Sequence, residues 1–274
     1  MFPAGFWRRA IAYSVDGFIV WLFAAIVVGI PVGLLYAATN GAIQFGPTSR
    51  SAPGTEAEAG LEFNLGGFSL IQCANVDLAE LPEGLDPPPP AQPTFALDCR
   101  HFVFGFLETA RGLTVGRVTK KGSMTTTLHR SYVLGADGKL RRAVSLNWLP
   151  QLLFFIYLVA LQSRFGTTLG MRLMHIRVVN VEAPERVGVP LGRAVVRNLL
   201  LWAGFAPMLA VLLGFAVAYH GDLEAMFSGI FFTCLFAAAL LAMAYYVWIL
   251  VDLVRKRDPI YDRIARTAVL RSPS

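Results

Sequence analysis

FWRRAIAYSVDGFIVWLFAAIVVGIPVGLLY, residues Phe6 to Tyr36, is the stretch whose reading decides the fold. It exceeds the about 20 predominantly apolar residues that a helix needs to cross a hydrocarbon core. Yet it carries Arg8 and Arg9 at its entrance and Asp16 inside it. An acid at that depth is expensive and implies a partner or a task. Arg9 and Asp16 fall within about 20° of each other around a helix and about 10 Å apart along it, with Tyr13 between them on the same face. A basic pair before an apolar run also describes a cleaved signal peptide, and Tyr36-Ala37-Ala38 supplies small residues. The run is about twice the 7–15 residues of a signal core and contains an acid, so a retained helix is the reading adopted.

Composition agrees. The 274 residues are 55% hydrophobic and only 15% charged, against about 25% charged in soluble domains. The formal charge of +6 does not point to nucleic acid. Its Lys and Arg sit beside apolar segments and make no basic helix or aromatic-interleaved stripe. No HExxH, GxSxG or phosphate-binding glycine loop occurs, so no enzyme activity is expected. His101, His129, His175 and His220 are scattered, and the three cysteines have no zinc spacing, so no metal or cofactor is expected.

Four apolar segments predict a mainly α, polytopic membrane helix bundle: Ala10 to Ala37, Leu146 to Leu161, Leu199 to Tyr219, and Met226 to Val251. The second is the shortest. Lys and Arg concentrate on cytoplasmic flanks. Arg8 and Arg9, the residues from Arg164 to Arg197, and the tail from Arg255 to Arg271 are therefore placed inside. The loop His220 to Glu224, free of Lys and Arg, is placed outside. Arg141 and Arg142 stand against this scheme on the external side, where long translocated segments obey the rule poorly. The domains are then 1–38 with the first helix, an external insertion 39–145, and 146–274 with a cytoplasmic loop 162–197 and a cytoplasmic tail.

The insertion reads as a β-rich extramembrane module between the first two helices. Its first half is loop-like, with polar Ser49 to Gly60 and the extended Pro87 to Pro90 run. Leu113 to Lys120 and Thr125 to Leu134 have strand composition, and Asp137-Gly138 predicts a tight hairpin returning through Leu140 to Val144. Cys73 and Cys99 form an even pair suited to a disulfide, with two free buried thiols as the alternative. Cys234 reads as packing in a helix.

In the loop 162–197, Phe165 to Leu173 predicts a short helix or turn, His175 to Val181 a strand, and Val187 to Pro190 its returning partner. Arg193 and Arg197 share one helix face, where snorkelling to headgroups is the simplest role. Gly29 and Gly33 around Pro31 predict a close helix approach or a kink, and Gly204, Pro207 and Gly214 a bend. Topology gathers Arg9, Asp16, Arg197, Asn198 and Asp252 at one depth, which predicts a single polar cluster. Gln151, Tyr157 and Thr233 read as scattered polar groups of the outer half.

Four stretches resemble, in order, the signatures of the RDD family of membrane proteins: GFWRRAIAYSVDGFIV (Gly5 to Val20), FGTTLGMRLMHIRVVN (Phe165 to Asn180), PLGRAVVRN (Pro190 to Asn198) and RKRDPIYDRIARTAVL (Arg255 to Leu270). The resemblance covers the membrane part and leaves out residues 40–144. It maps the family's arginine to Arg9, with Arg8 as the alternative, and its first aspartate to Asp16. The second is Asp262 by tail pattern or Asp252 by position. Met171 stands where a lysine is common and Tyr261 where a histidine is common. The resemblance implies a bacterial-type inner membrane and a role in proton or monovalent cation transport. The other reading is a structural or partner-binding protein whose polar cluster fixes helix packing, with membrane lipids, a second copy or another membrane protein as partners.

Overall fold

A computed structural model describes residues 4–47, 60–64, 69–122, 124–219, 229–255 and 257–271. The polar run 49–59 and the loop His220 to Glu224 lie outside the described residues. The chain is mostly helical with a β-sheet portion. Three helices are long and apolar enough to cross a membrane: α1 (Phe6–Ala38), α4 (Leu191–Ala218) and α5 (Gly229–Val254). The apolar helix α2 (Leu149–Phe165) is shorter. Short helices α3 (Leu169–Leu173) and α6 (Ile260–Ala265) complete the α-helices among the described residues, with a 3-10 turn at Leu78–Glu80 in addition. The chain divides into two compact units, residues 18–154 and residues 1–17 with 155–274.

In the unit 18–154, strands β2 (Gly60–Asn64), β3 (Ser69–Asn75), β4 (Phe95–Val103), β5 (Leu107–Lys121) and β6 (Met124–Val133) form one antiparallel sheet in sequence order. β5 and β6 cover the two strand stretches expected from composition, while β2 and β3 lie in the half that reads as loop and β4 follows the proline run. Ser69–Asn75 is one of them, burying Ser69, Ile71 and Cys73 on alternate positions. The Asp137-Gly138 turn closes through Gly135 N to Lys139 O at 2.8 Å, yet the expected returning strand is reduced to one Leu134–Leu140 bridge. Only β7 (Val144–Ser145) continues, paired in parallel with β1 (Ile43–Gln44). Cys73 and Cys99 face each other across β3 and β4 and are joined as a disulfide, with Cα atoms 4.1 Å apart.

Helix α1 passes through a π-helical turn at Ala25–Gly29 just before Pro31. Proline lacks the N–H that would continue the α ladder, and the wider turn re-registers the helix around it. Gly29 and Gly33 serve the sheet rather than another helix. A Cβ at Gly29 would stand 2.9 Å from Val103, and one at Gly33 2.4 Å from Leu107. Ala24, Val28, Val32, Phe45 and Val103 form the core there.

In the other unit, β8 (Ile176–Asn180) matches the expected strand, but its partner is the tail strand β9 (Thr267–Arg271). Val187 to Pro190 cannot return beside it. Gly188 has φ +82°, and Pro190 caps α4. Ala4 N donates to Val269 O at 2.9 Å, so the residues before α1 also attach to the tail. Ala12, Met171, Ile176, Val178 and Val269 bury the apolar faces of these segments.

Helix α4 breaks into a 3-10 turn at Ala203–Phe205, just ahead of Pro207. Gly204 permits close approach of α5, since a Cβ there would sit 2.6 Å from the Tyr246 ring. Tyr245 and Tyr246 donate their hydroxyls to Leu200 O and Leu201 O at 2.5 and 3.3 Å. They supply hydrogen bonds to backbone carbonyls at the break.

Candidate functional site

The charged residues of the unit 1–17 with 155–274 sort into separate arrangements. The first is centred on Asp262, which has no solvent exposure. Its Oδ2 accepts from Arg9 Nη1 at 2.7 Å, and its Oδ1 accepts from Arg197 Nε at 2.7 Å and Thr267 Oγ1 at 3.0 Å. One carboxylate thus bridges α1, α4 and the tail. Arg9 is further fixed by Nε donating to Ala4 O at 3.2 Å, and Asp258 lies 3.7 Å from its Nη2. Arg197 also donates from Nη1 to Gln162 Oε1 at 3.0 Å, and its guanidinium lies 5.4 Å from the centre of the Tyr261 ring. Gln162 Oε1 accepts a second bond from Asn198 Nδ2 at 3.0 Å, tying in α2. Among the described residues no donor reaches the buried Asn198 Oδ1.

Two neighbours of Asp262 titrate abnormally. Burial, reinforced by the Asp262 charge, pushes the Tyr261 hydroxyl up to about 12. The same two causes, burial first, raise the Asp258 carboxyl above the usual range. A buried acid next to a second carboxylate resists ionisation for both reasons.

Asp16 forms the second arrangement and is also fully buried. It makes no ion pair with Arg9. Its Oδ1 accepts from Tyr157 Oη at 2.8 Å and Gly170 N at 2.7 Å, and its Oδ2 accepts from Thr168 Oγ1. Thr168 is at the same time the N-cap of α3, its Oγ1 accepting from Met171 N at 3.2 Å. The approach requires glycine at 170, where a Cβ would fall 2.1 Å from Ala12 O. The acid of α1 and the GTTLG sequence of the following loop are therefore two halves of one contact.

The remaining charges lie apart. Asp252 pairs with Arg263 at 3.3 Å, and Arg263 is half-exposed. Arg193 bonds Asn180 and Glu182, and Glu182 also accepts from Arg266 at 2.6 Å. Hydrogen bonds from these two arginines hold the Glu182 carboxyl below its ordinary value. Neither Arg193 nor Arg197 is a free snorkelling cation. The single cluster expected from topology is thus split: Arg9, Arg197 and Asn198 gather around Asp262 and Gln162, while Asp16 and Asp252 have partners of their own. Tyr157, expected among scattered outer groups, belongs to Asp16. Sequence reasoning missed Gln162, Thr168, Gly170 and Thr267 as parts of these contacts. The signal for Thr168 was its place as a capping hydroxyl before a short helix.

Beside Asp262 lies a cavity of about 480 Å³ walled mostly by apolar side chains, with Arg9 and Arg197 in its lining. Met171 and Tyr261, the two departures from the family pattern, both line it. Met171 is 6% exposed in the apolar core, a place where a lysine would bury an ammonium among Ala12, Ile176 and Val178. Among the described residues no group of three or more His, Cys, Asp or Glu side chains could hold a metal ion.

The model of the RDD family matches residues 131–266, about half of the chain. That span contains Tyr157, Thr168, Arg197, Asn198, Asp252 and Asp262, and does not extend to Arg9 or Asp16. No curated protein and no solved structure matches the chain. With both the loop that receives Asp16 and the tail that carries Asp262 inside the matched span, the chain belongs to the RDD family.

Proposed function

We propose that this is a four-span inner-membrane protein whose two buried carboxylates lock its helices to the loop 162–197 and the tail, and are not ion carriers. The fourth span is α2, whose 17 residues extend about 25 Å, the short end of what crosses a bilayer. The arginine-rich flanks support cytoplasmic termini with residues 39–145 outside. Of the family's two aspartates, the lock makes Asp262 the second, since it and not Asp252 meets Arg9. One observation carries the reading: Asp16 and Asp262, both without exposure, each accept three hydrogen bonds, Asp16 from Tyr157 and the loop residues Thr168 and Gly170, Asp262 from Arg9, Arg197 and Thr267. A carboxylate that carries ions must trade its ligands for water or a cation, and each of these already commits three of its about four acceptor sites to donors of the chain itself. Neither lines the adjoining cavity.

Proton or cation exchange is the second reading, and one feature of Asp16 favours it. All its donors are neutral, so no ion pair compensates it among the described residues. The two readings part in one experiment, Asp16→Asn in proteoliposomes with flux and melting temperature measured together. Under the lock, wild-type liposomes carry no gradient-driven proton or alkali-cation flux and the variant melts lower. Under exchange, wild type carries flux and the variant loses it with its melting temperature unchanged.

A further inference from the structure

The cavity beside Asp262 shows a one-sided chemistry. Among the described residues its charged wall residues are Arg9 and Arg197, and aromatic side chains including Phe6, Tyr13, Trp202 and Phe205 make much of the rest. The carboxylates that balance the arginines stand behind them. Asp262 is fully buried and Asp258 is outside the lining, so among the described residues a guest meets apolar and aromatic side chains and two guanidiniums, and no carboxylate. Both guanidiniums keep some access, with side chains 10% and 7% exposed. Each arginine spends donors on Asp262 and on a second acceptor, Ala4 O for Arg9 and Gln162 Oε1 for Arg197, which does not exhaust the five N–H groups of a guanidinium.

Size and placement narrow the guest. A volume of about 480 Å³ lies within the range of about 300–1,000 Å³ typical of small-molecule sites. Its walls come largely from α1, α4 and α5, the three helices long and apolar enough to span a membrane. A molecule entering between them comes from the lipid phase and brings a hydrocarbon part.

We propose that this cavity binds an anionic amphiphile, its hydrocarbon chain against the aromatic walls and its carboxylate or phosphate against Arg9 and Arg197. The proposal rests on the lock, because only arginines held by Asp262 present fixed donors. Binding needs no displacement of Asp262. Charge-assisted contacts select an anionic head over a zwitterionic one of the same chain length.

Trp202 in the wall reports occupancy. The full chain is placed in nanodiscs containing bromine-labelled acyl chains, and the Trp202 component is taken as wild type minus Trp202→Phe. Brominated phosphatidylglycerol is expected to quench it at a mole fraction at least about fivefold lower than brominated phosphatidylcholine. Brominated stearate in phosphatidylcholine discs separates the sources: quenching by stearate assigns a free single-chain anion, and quenching by phosphatidylglycerol alone assigns a bilayer lipid. Ala10→Phe, which fills the cavity, should abolish the quenching, with Leu253→Phe as the alternative filler if the first does not fold. Equal quenching by the two phospholipids, quenching by neither anion, or quenching that persists in a folded filling variant overturns the proposal. Failure of the lock itself reads out separately, as ion flux in unbrominated proteoliposomes.

Discussion

Arg9 and Asp262 are 253 positions apart in sequence and 2.7 Å apart in space. That contact closes the tail onto the first helix, and Arg197 completes it from α4 at the same distance. Three segments distant in sequence are held by one carboxylate.

Removing that carboxylate leaves two nearly buried guanidiniums facing each other. Asp262→Asn should therefore cost about 3–5 kcal/mol, the usual result of breaking a buried pair from one side. Asp252→Asn should cost under about 1 kcal/mol, because Arg263 is half-exposed and screened. Thermal melts of the two variants in one detergent check the contrast. Equal losses would contradict the assignment of Asp262 as the bridge.

Gly170→Ala places a methyl group 2.1 Å from Ala12 O, against backbone that cannot yield without moving α1. A strongly lowered melting temperature or loss of folded protein is expected. Gly192→Ala, with nothing within 4 Å, should be neutral or stabilising by about 0.5–1 kcal/mol. Yield and melting of the purified variants give the comparison.

The unit 18–154 should lose stability in acid through His101. Its Nδ1 lies 2.8 Å from Thr109 Oγ1, whose hydroxyl donates to Phe45 O, so the imidazole is the donor in that pair. Burial lowers its pKa from 6.5 to about 4. The unfolded chain then binds the proton first, so stability is complete above about pH 6.5 and falls as pH drops towards 4. Linkage gives a loss of about 2 kcal/mol at pH 5. His101→Asn should flatten the melting temperature between pH 7 and 5. An unchanged slope would contradict it.

The Cys73–Cys99 bridge closes a separation of 26 residues. Replacing both by Ser should destabilise the sheet by about 3.5 kcal/mol on the chain-entropy account. Denaturant melts of the double variant measure this. Alkylation under non-reducing conditions should find Cys234 as the reactive thiol and the other two protected.

What the sequence disclosed followed from local periodicity and spacing. The long helices, β5, β6, β8 and the cysteine pair were legible because each carries its signal within one stretch. The partner of β8 was not, because pairing with Thr267–Arg271 rather than Val187 to Pro190 depends on where the tail returns. The polar contacts show the same limit. Helical spacing put Arg9 and Asp16 on one face, but rise along the axis separates them by about 10 Å. Each then finds a closer partner from another segment, Asp262 for Arg9 and Thr168 with Tyr157 for Asp16. Gly29 and Gly33 resembled a helix-packing pair, and only the fold reveals that β4 and β5 residues fill the space above them.

If the buried acids lock the structure and carry no ions, neutralising one costs stability and leaves flux unchanged. Asp16→Asn removes a charge from a site of three donors without changing its shape, and should lower stability by about 1–3 kcal/mol. The decisive measurement is gradient-driven proton and sodium flux in proteoliposomes of wild type and Asp16→Asn, paired with their melting temperatures. The lock predicts flux at the level of empty liposomes for both proteins and a lower melting temperature for the variant. Flux in wild type that disappears in an equally stable variant would contradict it.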